Sequence, residues 1–267
     1  MSKNLRPAIK CHGGKRYLAN WIIDNFPENY EKYEYLEPYC GGASVFLNKL
    51  PSEKSETIND LDAGLVAIYR TLRDDPETFI KKLKSVTYSE NVFNRELKKN
   101  EFSGLFEKAV NEFIVRRMSR GGMKKNFCWS DRERGGLPGE VNSWKTICEE
   151  LSKIAERLNK TFILNKNAVD VIKSFSDVET LCYCDPPYVH DTRVSKDVYE
   201  FEMTTDDHIE LANALKSFKG KVVLSGYPST LYKNLYKGWR CVKKKVANNS
   251  SQQKTKPIKT ECLWLNY

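Results

Sequence analysis

The segment that most constrains this chain is Thr180 to Tyr188, an apolar run that ends on an acid and two prolines. Thr180 to Cys184 reads as a buried strand and Asp185 closes it. Pro186 and Pro187 then stiffen the following backbone and remove two N–H donors. Other strand signals lie at Tyr35-Leu36, Glu56 to Asn59, Phe162 to Leu164 and Lys221 to Leu224. They alternate with helical spacing at Tyr17 to Phe26, Ala43 to Leu50, Leu61 to Leu72, Ala168 to Phe175, Asp206 to Phe218 and Ser229 to Leu235. That alternation predicts an open α/β sheet with helices on both faces. Two last strands, at about Arg240 to Val246 and Glu261 to Leu265, have no helix between them, which predicts an antiparallel hairpin at one edge.

The middle of the chain breaks the alternation. Helical periodicity (Leu105, Ala109, Phe113, Val115, then Trp144, Ile147, Leu151, Ile154, Leu158) brackets the glycine-studded basic stretch RRMSRGGMKKNFCWSDRERGGLPGE. Residues 75–158 therefore read as a helical subdomain inserted into a core made of 1–74 and 159–267. Irregular stretches of this length are commonly functional or disordered, and Phe127 and Trp129 argue against simple disorder.

Lys and Arg number 44 against 35 Asp and Glu, a net charge of +9. An excess of that size suits a polyanion partner, because neutralised phosphates release counterions, but it suits a solvated basic surface equally well. Distribution says more. One cluster gathers Arg116, Arg117, Arg120, Lys124, Lys125, Arg132 and Arg134, and a second gathers Lys243, Lys244, Lys245, Lys254, Lys256 and Lys259. No signal peptide opens the chain and no apolar run reaches the ~20 residues of a membrane helix, so the expectation is a soluble cytoplasmic protein. The eight cysteines should then stay reduced. The close pair Cys182 and Cys184 lacks a second pair or finger-spaced His, which predicts core thiols and no metal site.

Three constellations carry chemistry. In Asp185-Pro186-Pro187-Tyr188, a carboxylate stands where open α/β sheets bind ligands, beside a rigidly presented Pro186 carbonyl and a flat aromatic ring. Two convergent acceptors suit an amino group with two N–H bonds. Taken alone, the tetrapeptide is equally a strand end followed by a Pro-Pro turn. In Glu37-Pro38-Tyr39-Cys40-Gly41-Gly42-Ala43, small residues allow close cofactor approach, and Asp60 ends the next strand where an acid can bind ribose hydroxyls. Cys11-His12-Gly13-Gly14-Lys15 lacks the spacing and the following Ser or Thr of a P-loop, since Arg16 comes next. A Gly-Gly turn with a cation could hold a carboxylate, although a tight turn with a surface lysine is the plainer reading.

Together and in this order, CHGGK, EPYCGGASVF, INDLD, the basic middle, CDPPY and KTECLWLNY resemble the Dam-like N6-adenine-specific DNA methyltransferases across nearly the whole chain. The resemblance implies a Rossmann-like S-adenosylmethionine-dependent methyltransferase sheet with a reversed last strand. It makes 1–74 and 159–267 the catalytic domain and 75–158 an inserted target-recognition subdomain. It assigns catalysis to Asp185, Pro186, Pro187 and Tyr188. Cofactor contacts are implied at Cys11, His12, Gly13, Gly14, Lys15, Glu37, Pro38, Tyr39, Gly41, Asp60, Leu61, Asn167 and Asp185. Double-stranded DNA is the implied partner, contacted through Arg116 to Arg134, with Met123 or an aromatic filling the gap left by a flipped base. No metal is implied, nor a membrane, and a cognate restriction endonuclease is compatible. Family members often carry an aromatic where Cys11 stands and Gly where Ala43 stands. The rival expectations are an N4-cytosine or RNA methyltransferase, an inactive sequence-specific DNA-binding protein and a Rossmann dehydrogenase. Asp185 tilts the target towards adenine, since N4-cytosine enzymes more often have Ser at that place.

Overall fold

The computed structural model describes residues 5–11, 13–175, 177–189, 202–247 and 258–267. In chain order the elements are α1 (Ala19–Ile23), β1 (Glu34–Glu37), β2 (Glu56–Asn59), α2 (Ala63–Asp74), α3 (Pro76–Lys84), α4 (Glu90–Leu97), α5 (Leu105–Met118), β3 (Glu133–Arg134), β4 (Leu137–Pro138), α6 (Gly139–Leu158), β5 (Thr161–Leu164), α7 (Ala168–Ser174), β6 (Thr180–Cys184), α8 (Thr205–Ser217), β7 (Lys221–Gly226), α9 (Thr230–Leu235), β8 (Arg240–Ala247) and β9 (Ile258–Leu265). The chain divides into two compact units. The first comprises Met1–Asp24, Cys40–Leu50 and Asp62–Asn165, and the second Asn25–Tyr39, Pro51–Leu61 and Lys166–Tyr267.

A seven-stranded mixed sheet is present, and its six strands in the second unit run in the order β2-β1-β6-β7-β9-β8. β1 pairs in parallel with β2 (Glu37 opposite Ile58) and with β6 (Leu36 opposite Cys182), and β6 in parallel with β7 (Cys184 opposite Leu224). β9 runs antiparallel to both β7 and β8, so the reversed strand and the closing hairpin are as expected. All five residues of β6 are buried, as a central strand requires. β1, β7 and β9 add Leu36, Val222, Val223 and Leu263 to the core, and α7 and α8 contribute Val169, Ile172, Leu211 and Leu215. Both α7 and α8 begin on a side chain that accepts from free N–H groups of the first turn. Asn167 caps α7, and Thr204 and Asp207 form a reciprocal capping box on α8.

The first unit is helical around an aromatic core. The Phe113 ring lies 5.8 Å from Phe79 and 5.5 Å from Trp144, both edge to face. The basic stretch is anchored to this core. Phe127 packs at 5.4 Å from Tyr88 and 5.9 Å from Phe93, the Tyr88 hydroxyl donates to the Cys128 carbonyl at 2.6 Å, and Cys128 N–H donates to the Met118 carbonyl. β3 and β4 form a hairpin closed by Gly135 (φ 62°) and Gly136 (φ 72°), two left-handed residues of the kind a two-residue turn requires.

Two helices differ from expectation. The first is shorter, Ala19–Ile23 rather than Tyr17 to Phe26. Residues 43–50 form successive turns and no regular helix. Gly41 (φ 46°) and Ala43 (φ 52°) both take left-handed backbone, which breaks helical propagation at its start. Ala43 is fully buried there, so the glycine often found at this place in the family answers a real conformational demand.

The tightest polar contact of the first unit is an ionic cluster between α2 and α5. Asp62 caps α2 through Oδ1, which accepts from Gly64 and Leu65 N–H, while Oδ2 accepts from Arg116 Nη2 at 2.5 Å. Arg116 Nε donates to Glu112 at 2.9 Å, and Lys124 Nζ stands 3.7 Å from the same carboxylate. Burial opposes the Arg116 charge, but attraction from Asp62 and Glu112 outweighs it and raises the pKa. Gly64 permits the approach, since a Cβ there would lie 2.4 Å from Glu112 Cδ. Arg116→Met should strand two carboxylates and lower stability by about 3–5 kcal/mol. Equilibrium urea unfolding measures this, and an unshifted midpoint would show that the cluster adds nothing to stability.

Candidate active site

Parallel pairing of β2, β1 and β6 brings three acids to the carboxyl-terminal rim of the second unit's sheet. Glu37 is the last residue of β1, Asp60 follows β2 and Asp185 follows β6. Glu37 is buried and its Oε2 accepts the Tyr35 hydroxyl at 2.6 Å. Burial first, and then the Glu37 charge, raise the Tyr35 pKa, so the phenol remains a donor. Asp60 and Asp185 are half-buried, and Leu61 is 49% exposed.

One residue stitches this rim together. Asn59 is buried at the end of β2. Its Nδ2 donates to the Pro38 carbonyl at 2.9 Å and to the Lys166 carbonyl at 3.0 Å, and its Oδ1 accepts Lys166 N–H at 3.0 Å. It thus fixes the chain leaving β1, where Glu37, Pro38 and Tyr39 stand, against the segment that enters α7. Asn167 itself is exposed and its Oδ1 is engaged in capping α7.

Around Asp185 the environment is apolar and acidic. Pro186, Tyr188 and Val189 are buried and Pro187 is half-buried. Tyr183 is driven well above its ordinary pKa by burial and then by the Asp185 charge, with Glu37 and Glu261 adding to the effect. Such a field opposes new negative charge and favours a cation forming nearby. Cys182 and Cys184 are core thiols, both fully buried, and burial raises the Cys184 pKa. No cluster of three metal-ligating side chains occurs among the described residues.

The first unit carries the remaining candidates. Lys15 is buried with its Nζ 3.2 Å from the Gly13 carbonyl, so it is no free surface cation, while Gly13 is exposed and Gly14 half-buried. Half-buried Cys11 lies beside Gly42, where an added Cβ would come 3.8 Å from the Cys11 Cβ. The Gly41 carbonyl accepts the Tyr69 hydroxyl at 2.6 Å, and an added Cβ on Gly41 would meet nothing within 4 Å. His12, Lys254 and Lys256 lie outside the described residues.

The basic cluster separates into two kinds of residue. Arg120, Lys125, Arg132 and Arg134 are exposed and Lys124 is half-buried. Arg116 and Arg117 are buried, and the expectation that they reach DNA is corrected accordingly. Arg116 belongs to the Asp62 and Glu112 cluster. Arg117 donates to the Ser143 carbonyl at 3.3 Å, and burial lowers its pKa to about 10, which leaves it charged at neutral pH. Both lie in the last stretch of α5, which is buried on every side from Phe113 to Met118, whereas Arg120 follows the end of the helix.

Comparison with known proteins gives this geometry its class. Residues 12–250 match the model of the D12 class N6 adenine-specific DNA methyltransferases, and the chain belongs to that family. It is 25% identical to the type II methyltransferase M.MjaIII of Methanocaldococcus jannaschii, over 98% of this chain and 99% of that one. It is 27% identical to the type II methyltransferase M1.LlaDCHI of Lactococcus lactis subsp. cremoris, over 99% and 96%. Identity to a DNA adenine methylase of Vibrio cholerae is 28%, over 88% and 86%. The chain is an adenine-specific DNA methyltransferase, and the mixed sheet with its reversed strand is the Rossmann-like fold of that class. No helix among the described residues is long and apolar enough to cross a membrane.

Sequence reasoning missed Asn59, Asp62 and Glu261, whose partners are remote in sequence. Asn59 and Asp62 flank Asp60 within INDLD, and an Asn ending an apolar strand was the available signal. Asn59→Ala should leave the Pro38 carbonyl and Lys166 N–H without that partner and lower stability by about 2 kcal/mol. Thermal unfolding reads the loss, and an unchanged transition would show that water replaces the amide.

Proposed function

We propose that this enzyme transfers a methyl group from S-adenosylmethionine to the 6-amino group of an adenine rotated out of duplex DNA. The observation that carries the reading is Asp185 at the carboxyl end of the buried central strand, followed by the rigid Pro186-Pro187 and the buried Tyr188. The donor set fits the cofactor. Glu37 and Asp60 are acceptors suited to ribose hydroxyls, and the bare backbone at Gly41 suits close approach. Lys15, in its Gly13-Gly14 turn, is a cation suited to the amino-acid carboxylate. Cys11, His12, Pro38, Tyr39, Leu61 and Asn167 are the further proposed cofactor contacts. S-adenosylmethionine supplies a methyl group already activated by its sulfonium centre.

The protein's own contribution is to make a poor nucleophile reactive. The lone pair of the 6-amino nitrogen is delocalised into the base. Asp185 and the Pro186 carbonyl accept its two N–H bonds, which draws the nitrogen towards tetrahedral geometry and localises the lone pair. Positive charge then grows on nitrogen within an acidic surrounding, and Asp185 receives the departing proton. Tyr188 supplies a flat face for the base. An amino group stacked in a duplex cannot meet a half-buried carboxylate, so the base must leave the helix.

The exposed Arg120, Lys125, Arg132 and Arg134, with Lys124, form the proposed DNA surface, and 75–158 the proposed target-recognition subdomain. The type II names of two relatives support a partner endonuclease of the same recognition sequence.

Asp185→Ala should abolish transfer of labelled methyl to unmethylated duplex DNA while leaving the thermal transition near its original position. Substantial labelled N6-methyladenine from that variant would sink the mechanism. Joint replacement of Lys125, Arg132 and Arg134 by Gln should weaken DNA binding. It should also flatten the log–log salt dependence by about 0.9 for every phosphate that is no longer neutralised. An unaltered slope would move the DNA surface elsewhere.

A further inference from the structure

We propose that Glu261, on β9, is a positioning residue that fixes the Tyr188 ring in the plane where the target base stacks. The proposal rests on the reading that Asp185 to Tyr188 hold the base. The Tyr188 hydroxyl donates to Glu261 Oε2 at 2.8 Å, with Tyr188 4% and Glu261 3% exposed. An acid inside the otherwise apolar ECLWL strand is costly unless hydrogen-bonded, and the phenol provides one such bond. The register brings it there. Gly226 of β7 pairs with Cys262, so Glu261 stands level with the residue after β7, Tyr227. The Tyr227 and Tyr188 rings form a T-shaped pair, with centroids 4.5 Å apart and planes at 78°, and Lys259 Nζ lies 4.8 Å from the Tyr227 centroid.

The Tyr188 ring is therefore held at three places. Its backbone follows two prolines, its ring makes a T-shaped contact with Tyr227, and its far end is tied to Glu261. A ring so held cannot tilt, and a stacking surface already in its working orientation need not be ordered when the base arrives. Burial, then the Asp185 and Glu261 charges, raise the Tyr188 pKa, so the phenol keeps its proton and the bond keeps its direction.

The experiment is a double-mutant cycle on kcat at saturating cofactor and DNA, with the thermal transition recorded for each variant. Tyr188→Phe and Glu261→Leu each remove the same hydrogen bond and should each lower kcat about tenfold. Glu261→Gln keeps an acceptor and should stay within about threefold of wild type. The double variant should be about tenfold slow, because one bond is lost once. Independent effects that multiply to about a hundredfold would overturn the proposal. So would wild-type kcat in Glu261→Leu, or Glu261→Gln as impaired as Glu261→Leu. Should Glu261→Leu fail to fold, Tyr188→Phe decides, and wild-type kcat there overturns it. Tyr188→Ala separates this from the underlying reading. Full turnover without the ring removes base stacking altogether. Loss in Tyr188→Ala beside normal Tyr188→Phe and Glu261→Leu keeps stacking and removes Glu261 from it.

Discussion

The parallel pairing of β1 with β2 on one side and β6 on the other is the constraint on which the rest of the structure depends. In a parallel sheet all strands finish at one rim, so residues far apart in sequence become neighbours without any local motif to join them. Here that rim collects Glu37, Asp60 and Asp185. Carboxylates brought together repel one another, and folding must supply compensation. At Glu37 a neutral donor, the Tyr35 hydroxyl, does so, and Asn59 ties down the adjoining backbone. A neutral donor holds an acid without cancelling its charge, which leaves the field available to the cation that the proposed transfer would form.

The first unit answers a similar problem with ions. Asp62, only two residues beyond Asp60, is matched by Arg116, which Glu112 holds in turn. The difference suits the two tasks. A helix cap needs a fixed, saturated carboxylate, while the acids at the rim must keep their electrostatic reach. Lys124 touches the same cluster from the basic stretch, so the segment proposed to meet DNA is rooted in the ions that secure α2.

Much of this was legible in the sequence, and the parts that were not share a cause. The strands could be found because short apolar runs stand between turn residues and acids. Asp185 and its prolines stood out as a candidate site because their stiffness and polarity have no use inside a core. The helix expected after Gly42 failed because apolar spacing carries no record of the left-handed backbone at Ala43. Arg116 and Arg117 looked like Arg120 in composition, yet the packing around the end of α5 and the distant Asp62 decide which of them are buried. Asn59 and Glu261 escaped notice for the same reason. Each is defined by a partner remote along the chain, a relation that local pattern does not encode.

The place of β9 between β7 and β8 has a consequence for synthesis. β8 leaves the ribosome before β9, and for that interval it has no partner in the sheet it will join. An unpaired strand is a template for pairing with foreign chains. Its exposed Lys243, Lys244 and Lys245 place successive like charges along the strand, and an identical strand approaching edge to edge would meet its own repulsion. Like charges along β8 thus oppose its pairing with a copy of itself before the reversed strand arrives and brings with it the glutamate that meets Tyr188.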